Sequence, residues 1–462
     1  MTLYKKSLLL ILLCSIILLV HRNSAAQSLP DRVAAAAANF DKDSQLQYST
    51  WSLCVLDAKT GSVIFEKNKD IGLATASCLK TVTAATAFSL LGKDFQYKTL
   101  LHYSGSIHQG VLTGDLIVSG SGDPTLGTWR YDSTKDNIVL SEWIRAVKKA
   151  GIKKIKGRII GDDGAFDTQS LPDGWIWQDI GNYYGTGTSA LTWRENQFDI
   201  FLAPGSRVND PVKIAGINPP LKDIRFVNEL TTGPAGSGDQ GYIYLPSYRP
   251  VAYVRGSVPL DAGKGFSISG AVPDAALNCA DRLRDTLGKA GIEVSRPSTT
   301  TRLLKMEGRP LPAVTATIFT TLSPTLDKII YWFLKRSINL YGEQLLKTFC
   351  LQQHIPVSTA NGVEIVKQYW SAKGIDTLAL NIIDGSGLSP ANRVTGYTLA
   401  KVLQMIQNEG WFPAYKNALP VINGMTMKSG HINGVCSYAG YSTTPEGTPV
   451  VFAFIVNNYN GS

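Results

Sequence analysis

Three short stretches of this 462-residue chain carry residue types that could do chemistry on one another. The first is "ATASCLKTVTAATAF", residues 74–88, in which Ser77 precedes Lys80 by three positions. A serine hydroxyl is a weak nucleophile and needs a base within hydrogen-bond reach. Residues three apart share a helix face, so a helix beginning near Ser77 sets the hydroxyl beside the amine. A helix N-terminus adds unpaired N–H groups and a partial positive charge, which suit an oxyanion and favour a neutral lysine. Lysine becomes a base only when burial or a second cation lowers its pKa. Taken alone, Ser-x-x-Lys is a common accident. Here it occurs once, after a β-hairpin and at the start of an apolar run.

The second stretch is Ser337-Ile338-Asn339 in "LKRSINLYGEQLL", the only Ser-x-Asn of the chain. A short polar turn between two apolar helical runs can aim a hydroxyl and an amide into a cleft, although the same residues could serve as a plain helix cap. The third is Lys428-Ser429-Gly430, on a strand near the C-terminus. Lys428 could be the second cation that Lys80 needs. The Ser429 hydroxyl could hold a carboxylate, and Gly430 permits close approach of a substrate backbone. A literal Lys-Thr-Gly also stands at 59–61, but before the serine and at a hairpin tip, where glycine serves turn geometry. A lysine at such a tip is solvated, so the triplet at 428–430 is the functional candidate.

These stretches must be placed by the elements around them. "PDRVAAAAANF" reads as a helix, and "STWSLCVLDAKTGSVIFEKN" as two strands around a tight turn. A helix is predicted from about Ser77 to Leu91. Residues 96–271 are rich in Gly, Pro and Tyr and contain one clear amphipathic helix, "LSEWIRAVKKAGIKKI". Helical periodicity returns over 274–292, 326–350 and two later segments, and the end alternates as strands do. The expected class is α/β (α+β): one domain built from 27–95 and 272–462, interrupted by a β-rich insertion at 96–271 that could hold two subdomains.

The N-terminus "MTLYKKSLLLILLCSIILLVHRNSAAQ" has two lysines, an apolar run from Leu8 to Val20, and Ser24-Ala25-Ala26. That is the pattern of a secretory signal peptide, residues 1–26. The run is short of the roughly 20 residues that a membrane span needs, so no stable span is expected after cleavage. Cys14 follows Leu13 rather than a small residue, which does not suit a lipoprotein site. The formal charge is +9, and the leader holds three basic and no acidic residues, leaving +6. No basic block interleaves with aromatics, so nucleic acid is not an expected partner. Of the six cysteines, those at 54, 78, 279, 350 and 436 remain after leader removal; they show no CxxC spacing, and their odd number leaves at least one thiol free or paired between chains. The histidines are scattered without an HExxH pattern. No metal or other cofactor is expected.

Ser-x-x-Lys, Ser-x-Asn and Lys-(Thr/Ser)-Gly, in that order, form the motif set of penicillin-binding proteins and serine β-lactamases. Within that set the chain resembles the DacB-type D-alanyl-D-alanine carboxypeptidases/endopeptidases, which carry a large insertion between the first two motifs. Further stretches support the likeness: "GSGDPTLG" (120–127), "GDDGAFD" (161–167), "GWIWQDIGNYYG" (174–185), "DGSGLSPANRVT" (384–395) and "KSGHINGVCSYAGY" (428–441). Ile338 stands where that family usually has Asp, Ser429 where Thr is commoner, and Cys78 beside the nucleophile is unusual and reads as a packing residue. In that family the chain normally continues past the last strand into a helix that covers the sheet.

The resemblance implies that Ser77 attacks the carbonyl between two terminal D-alanines and that Lys80 takes its proton. Ser337 would relay a proton to the leaving amine, and Asn339 would orient Lys80 and the substrate amide. Lys428 would supply positive potential, Ser429 would bind the terminal carboxylate, and the N–H groups of Ser77 and His431 would form the oxyanion hole. The implied partners are peptidoglycan stem peptides, with β-lactams as covalent inhibitors, and the implied place is the periplasm. The competing readings are a serine β-lactamase and a non-catalytic wall-binding relative. The acids at 343, 364 and 409 do not fit the Glu-x-x-Leu-Asn of class A β-lactamases, and the intact motif side chains speak against a binder.

Overall fold

The strand Pro449–Asn457, "PVVFAFIVN", is apolar along almost its whole length and buried on both faces. Side chains of a strand alternate between faces, and here each face has its own core. Val451, Ala453 and Ile455 join one cluster, while Val450, Phe452, Phe454 and Val456 join another. A computed structural model describes residues 28–461. The signal peptide expected at 1–26 lies outside these residues.

The strand sits inside a six-stranded antiparallel sheet. The order is Val63–Lys67, Thr50–Asp57, Pro449–Asn457, Val435–Thr443, Met425–Ile432, Val421–Ile422. The first described hairpin therefore pairs directly with the last described strand, Thr50 opposite Asn457. The expected hairpin is present, with Gly61 at φ 71° in its turn and Lys59 exposed at the tip. One face of the sheet is covered by helix α1 (Leu29–Phe40), through Ala37 and Phe40. The other face packs on helix α2 (Lys80–Leu91), whose residues from Lys80 to Phe88 are all buried. A helix buried all round needs small side chains and satisfied hydroxyls. Thr81 and Thr86 donate back to the carbonyls of Cys78 and Val82, at 2.7 and 2.9 Å.

The middle of the chain builds two further cores. One holds a five-stranded and a four-stranded sheet with helix α3 (Asp136–Lys149). The second lies between two three-stranded sheets drawn from residues 197–271. The sequence reading ends this block at residue 271, and the packing differs. Helix α4 (Ala275–Lys289) buries Cys279, Ala280, Leu283 and Leu287 in the same core as α3. Strand Ala316–Leu322 pairs with Lys98–Tyr103. The apolar stripe of α4 finds its partner upstream, so the block draws on residues as far as 322.

Helix α5 (Leu326–Lys335) and helix α6 (Asn339–Gln352) are separated by a turn in which Ser337 has φ 57°. Helix α6 is buried from Asn339 to Cys350 and ties the middle block to the half built on the six-stranded sheet. Gln344 Nε2 donates to the carbonyls of Gly122 and Ser189, at 3.0 and 2.9 Å. Lys347 Nζ donates to Asp167 at 2.6 Å and to the Gln169 carbonyl at 2.5 Å. Tyr341 Oη donates to Glu195 Oε1 at 2.7 Å. That fully buried carboxylate also accepts from Thr128 and twice from Arg130. Glu195 lies in a run of three left-handed residues, Arg194 to Asn196, each at φ 54°. Such a run is costly and persists only where its surroundings hold it.

Glu195→Ala deletes the acceptor of these donors and leaves Arg130 unpaired. Breaking a buried ion pair from one side costs about 3–5 kcal/mol. Chemical denaturation should show a loss of that order, and a loss below about 1 kcal/mol would place the hold on the seam elsewhere.

Candidate active site

The segment before α2 does not begin as a regular helix at Ser77. Ala76–Leu79 is a 3-10 turn, and α2 starts at Lys80. Side chains three apart eclipse one another in a 3-10 turn, which brings Ser77 and Lys80 together more directly than an α-helix would. Lys80 Nζ lies 2.8 Å from Ser77 Oγ. Ala76, just before the serine, has φ 43°, an uncommon conformation for a side chain other than glycine.

Two more groups meet Lys80. Its Nζ donates to Asn339 Oδ1 at 2.6 Å and to the Ser386 carbonyl at 2.7 Å. Both oxygens can only accept. A neutral amine has two protons to give, one to each, and its lone pair is then left for the Ser77 hydroxyl. Burial first, and the charge of Lys428 second, hold Lys80 well below the usual lysine pKa. Those two influences, a low dielectric and a neighbouring cation, are what a lysine base requires.

Lys428 is buried on strand Met425–Ile432, beside the 3-10 turn, and burial pulls its pKa down to about 8. Its Nζ donates to the Ser429 carbonyl at 2.6 Å. The Cys78 thiol donates to the Lys428 carbonyl at 3.2 Å. Burial raises the Cys78 pKa to about 11, which keeps it a packing thiol. Ser437 Oγ donates to the Thr75 carbonyl at 2.5 Å and closes the contact between strand and turn. Gly430 lies flat against the backbone of the Ser77 turn. A Cβ there would sit 2.5 Å from Ser437 Oγ, 2.6 Å from the Thr75 carbonyl and 2.7 Å from the Ser77 nitrogen.

The structure thus brings Ser77, Lys80 and Asn339 into direct contact and lays the 428–430 strand along them. Ser337 sits half-buried in its left-handed turn, two residues ahead of Asn339, and among the described residues no hydrogen bond joins it to Lys80. Ser429 is half-buried. His431 is exposed, with Nε2 3.4 Å from Cys436 Sγ. The 384–395 segment reaches the site through the Ser386 carbonyl, and Thr395 caps the helix after it by accepting from Thr398 N at 3.1 Å.

Two buried acids were not singled out as site residues from the sequence. Glu343 accepts from Gly385 N through both oxygens, at 3.2 and 3.0 Å, and burial followed by the charge of Asp384 pushes its pKa up to about 8. Asp384 is fully buried in the turn that presents the Ser386 carbonyl. The four-residue step from Asn339 to Glu343 was the available signal, since it puts both on one face of α6.

A sequence model of a known family matches residues 33–462, and its description is D-Ala-D-Ala carboxypeptidase 3 (S13). The chain belongs to the S13 family. It is a serine DD-peptidase. Among its curated relatives is a D-alanyl-D-alanine carboxypeptidase of Actinomadura sp. (strain R39), 26% identical over 455 residues, covering 91% of this chain and 80% of the relative. Another is D-alanyl-D-alanine carboxypeptidase DacB of Haemophilus influenzae, 27% identical over 426 residues, covering 86% and 83%. The fold is that of penicillin-binding protein 4 (dacB) from Haemophilus influenzae, with a TM-score of 0.73, 24% identity and coverage of 90% and 92%. No described helix is long and apolar enough to cross a membrane.

The Gly430 contact predicts one outcome for this S13 enzyme. Gly430→Ala forces the strand away from the backbone of Thr75 and Ser77, which cannot yield as a side chain would. A misplacement near 1 Å can cost roughly 10²-fold. D-Ala-D-Ala peptide hydrolysis should fall by about that factor while the circular dichroism spectrum stays unchanged; wild-type turnover would mean that the turn gives way freely.

Proposed function

We propose that the enzyme cleaves the D-Ala-D-Ala bond of peptidoglycan stem peptides through an acyl-enzyme on Ser77. The observation that carries this reading is the arrangement around Lys80: Ser77 Oγ at 2.8 Å and two acceptor-only oxygens taking the amine's own protons.

Neutral Lys80 takes the Ser77 proton as Oγ attacks the carbonyl carbon of the penultimate D-alanine. The oxyanion forms against the N–H groups of Ser77 and His431, each such donor being typically worth a few kcal/mol. Lys428, as ammonium, and the Ser429 hydroxyl hold the terminal carboxylate. The tetrahedral intermediate collapses, the C–N bond breaks, and the leaving amine collects a proton relayed through Ser337. Water then attacks the ester, with Lys80 again as base, and Ser77 is restored. Asn339 keeps Lys80 in register and offers an amide proton to the substrate.

In a β-lactam the leaving amine stays tethered to the acyl group, so the same attack leaves a slow ester on Ser77. A structure of the Haemophilus influenzae penicillin-binding protein 4 in complex with a β-lactam supports this inhibitor class. Export by the leader would place the enzyme in the periplasm, where stem peptides are found. The block from residue 96, with α4 and strand Ala316–Leu322, would act as the insertion that forms one wall of the cleft.

Intact-protein mass after incubation with benzylpenicillin should show one covalent adduct on residues 27–462 and none on Ser77→Ala. A folded wild type without an adduct would overturn the catalytic reading in favour of a wall-binding one. The pH profile of kcat/KM should rise as Lys80 loses its proton, below the usual lysine range. It should then fall near pH 8 as Lys428 loses its own. Arginine keeps its charge at that pH, so Lys428→Arg should carry the alkaline limb out of range. A limb that stays would pass the assignment to Glu343.

A further inference from the structure

The lone pair of Lys80 is aimed by its two acceptors, and both acceptors are held from one short stretch of the middle block, Gly174–Gly185. Asn339 Nδ2 donates to the Tyr184 carbonyl at 2.8 Å, and this decides which end of the amide faces Lys80. The Ser386 carbonyl is presented by a turn folded around Asp384. Asp384 Oδ1 accepts from Gly387 N at 2.8 Å and Asn392 Nδ2 at 2.9 Å, and Oδ2 accepts from Ser389 N at 2.7 Å. The remaining donor to this carboxylate comes from outside the turn: Trp175 Nε1, at 3.0 Å to Oδ2. A second tie lies beside it. Ser389 Oγ donates to the Gly174 carbonyl at 3.1 Å. Gly174 has φ 76°, and a Cβ there would meet Ile383 Cδ1 and Ser389 Oγ, each at 2.8 Å. The left-handed backbone favours glycine here, and a larger residue would displace the ends of those two side chains.

We propose that Gly174–Gly185 is a positioning strap for the catalytic lysine, and that Trp175, by holding Asp384, sets how readily Lys80 gives and takes its proton. This deepens the reading of Lys80 as the base and rests on that reading for its effect on rate. The groups that face Lys80 are Lys428 from the strand, Asp384 from the turn, Glu343 from α6 and Cys78 from its own turn. Lys428 favours the neutral amine, and the two acids favour the ammonium. The indole N–H cancels part of the Asp384 field. Without it the carboxylate acts more strongly on Lys80, the ammonium is favoured, and the turn carrying the Ser386 carbonyl loses an anchor. The middle block is then part of the catalytic apparatus as well as a wall of the cleft.

The test is Trp175→Phe in the full mature chain, which keeps the ring and removes the donor. Two readouts are used. One is the pH dependence of benzylpenicillin acylation, followed by intact mass. The other is the titration of Lys80 in protein labelled with 13Cε-lysine, its resonance assigned by loss in Lys80→Met. We expect the Lys80 midpoint to rise by about one pH unit, with acylation at neutral pH slower by the corresponding factor of roughly ten. The melting temperature should stay near wild type. A purely structural contact would lower the melting temperature and leave the midpoint in place, and an unmoved midpoint overturns the proposal. If Trp175→Phe does not fold, Ser389→Ala removes the neighbouring tie and carries the same expectation. A midpoint that rises in a protein whose wild type is never acylated would sink the Ser77 mechanism and leave the strap standing.

Discussion

An amine shut away from water must dispose of its charge, and the structure around Lys80 is arranged to let it do so. An isolated ammonium in a protein interior is too costly to keep, so such a group loses a proton or finds a counter-charge. Lys80 has acids within range, Glu343 and Asp384, but its contacts are neutral oxygens. The acids are occupied with backbone N–H groups of the 384–389 turn. Lys428 adds a like charge. Burial and Lys428 push the amine toward its neutral form, while the two acids stay close enough to favour the ammonium that the proposed mechanism calls for. A base that must be neutral at rest and charged in the transition state needs both influences close by.

Helix α6 is where these demands meet the rest of the molecule. Asn339 serves the lysine, Glu343 holds the turn, and Tyr341, Gln344 and Lys347 each reach the middle block. Each of these polar side chains is buried and paired, as burial requires. The helix therefore has almost no free surface on which to drift. It fixes the Asn339 amide and the middle block with the same set of bonds, so the two cannot move independently.

Much of this was legible in the sequence because the chemistry itself fixes spacing. A serine and its base must share a face, and the three-residue step from Ser77 to Lys80 recorded that need, even though the local turn is 3-10 and not α. Lys59-Thr60-Gly61 could be set aside because a hairpin tip is exposed. The hold on the lysine was not legible. The Tyr184 and Ser386 carbonyls belong to the backbone, and no residue type marks them. Trp175 and Asp384 lie 209 positions apart, and neither one's pattern names the other. The same gap explains the block boundary. The apolar stripe of α4 announces a helix, but a stripe does not say which sheet it covers.

The pairing of Thr50–Asp57 with Pro449–Asn457 also has a consequence in time. Contacts between residues so far apart form late, because the loop between them must be closed first. A chain that emerges N-terminus first can complete the middle block's own cores once residue 322 is out. The six-stranded sheet has to wait for strands that include Lys428 and Gly430. The Ser77 turn, made early, lacks the strand that shapes it until residues 425–432 follow. Until the strand carrying Lys428 and Gly430 docks, the Ser77–Lys80 turn is without that surface, so the N-terminal half cannot complete the site by itself.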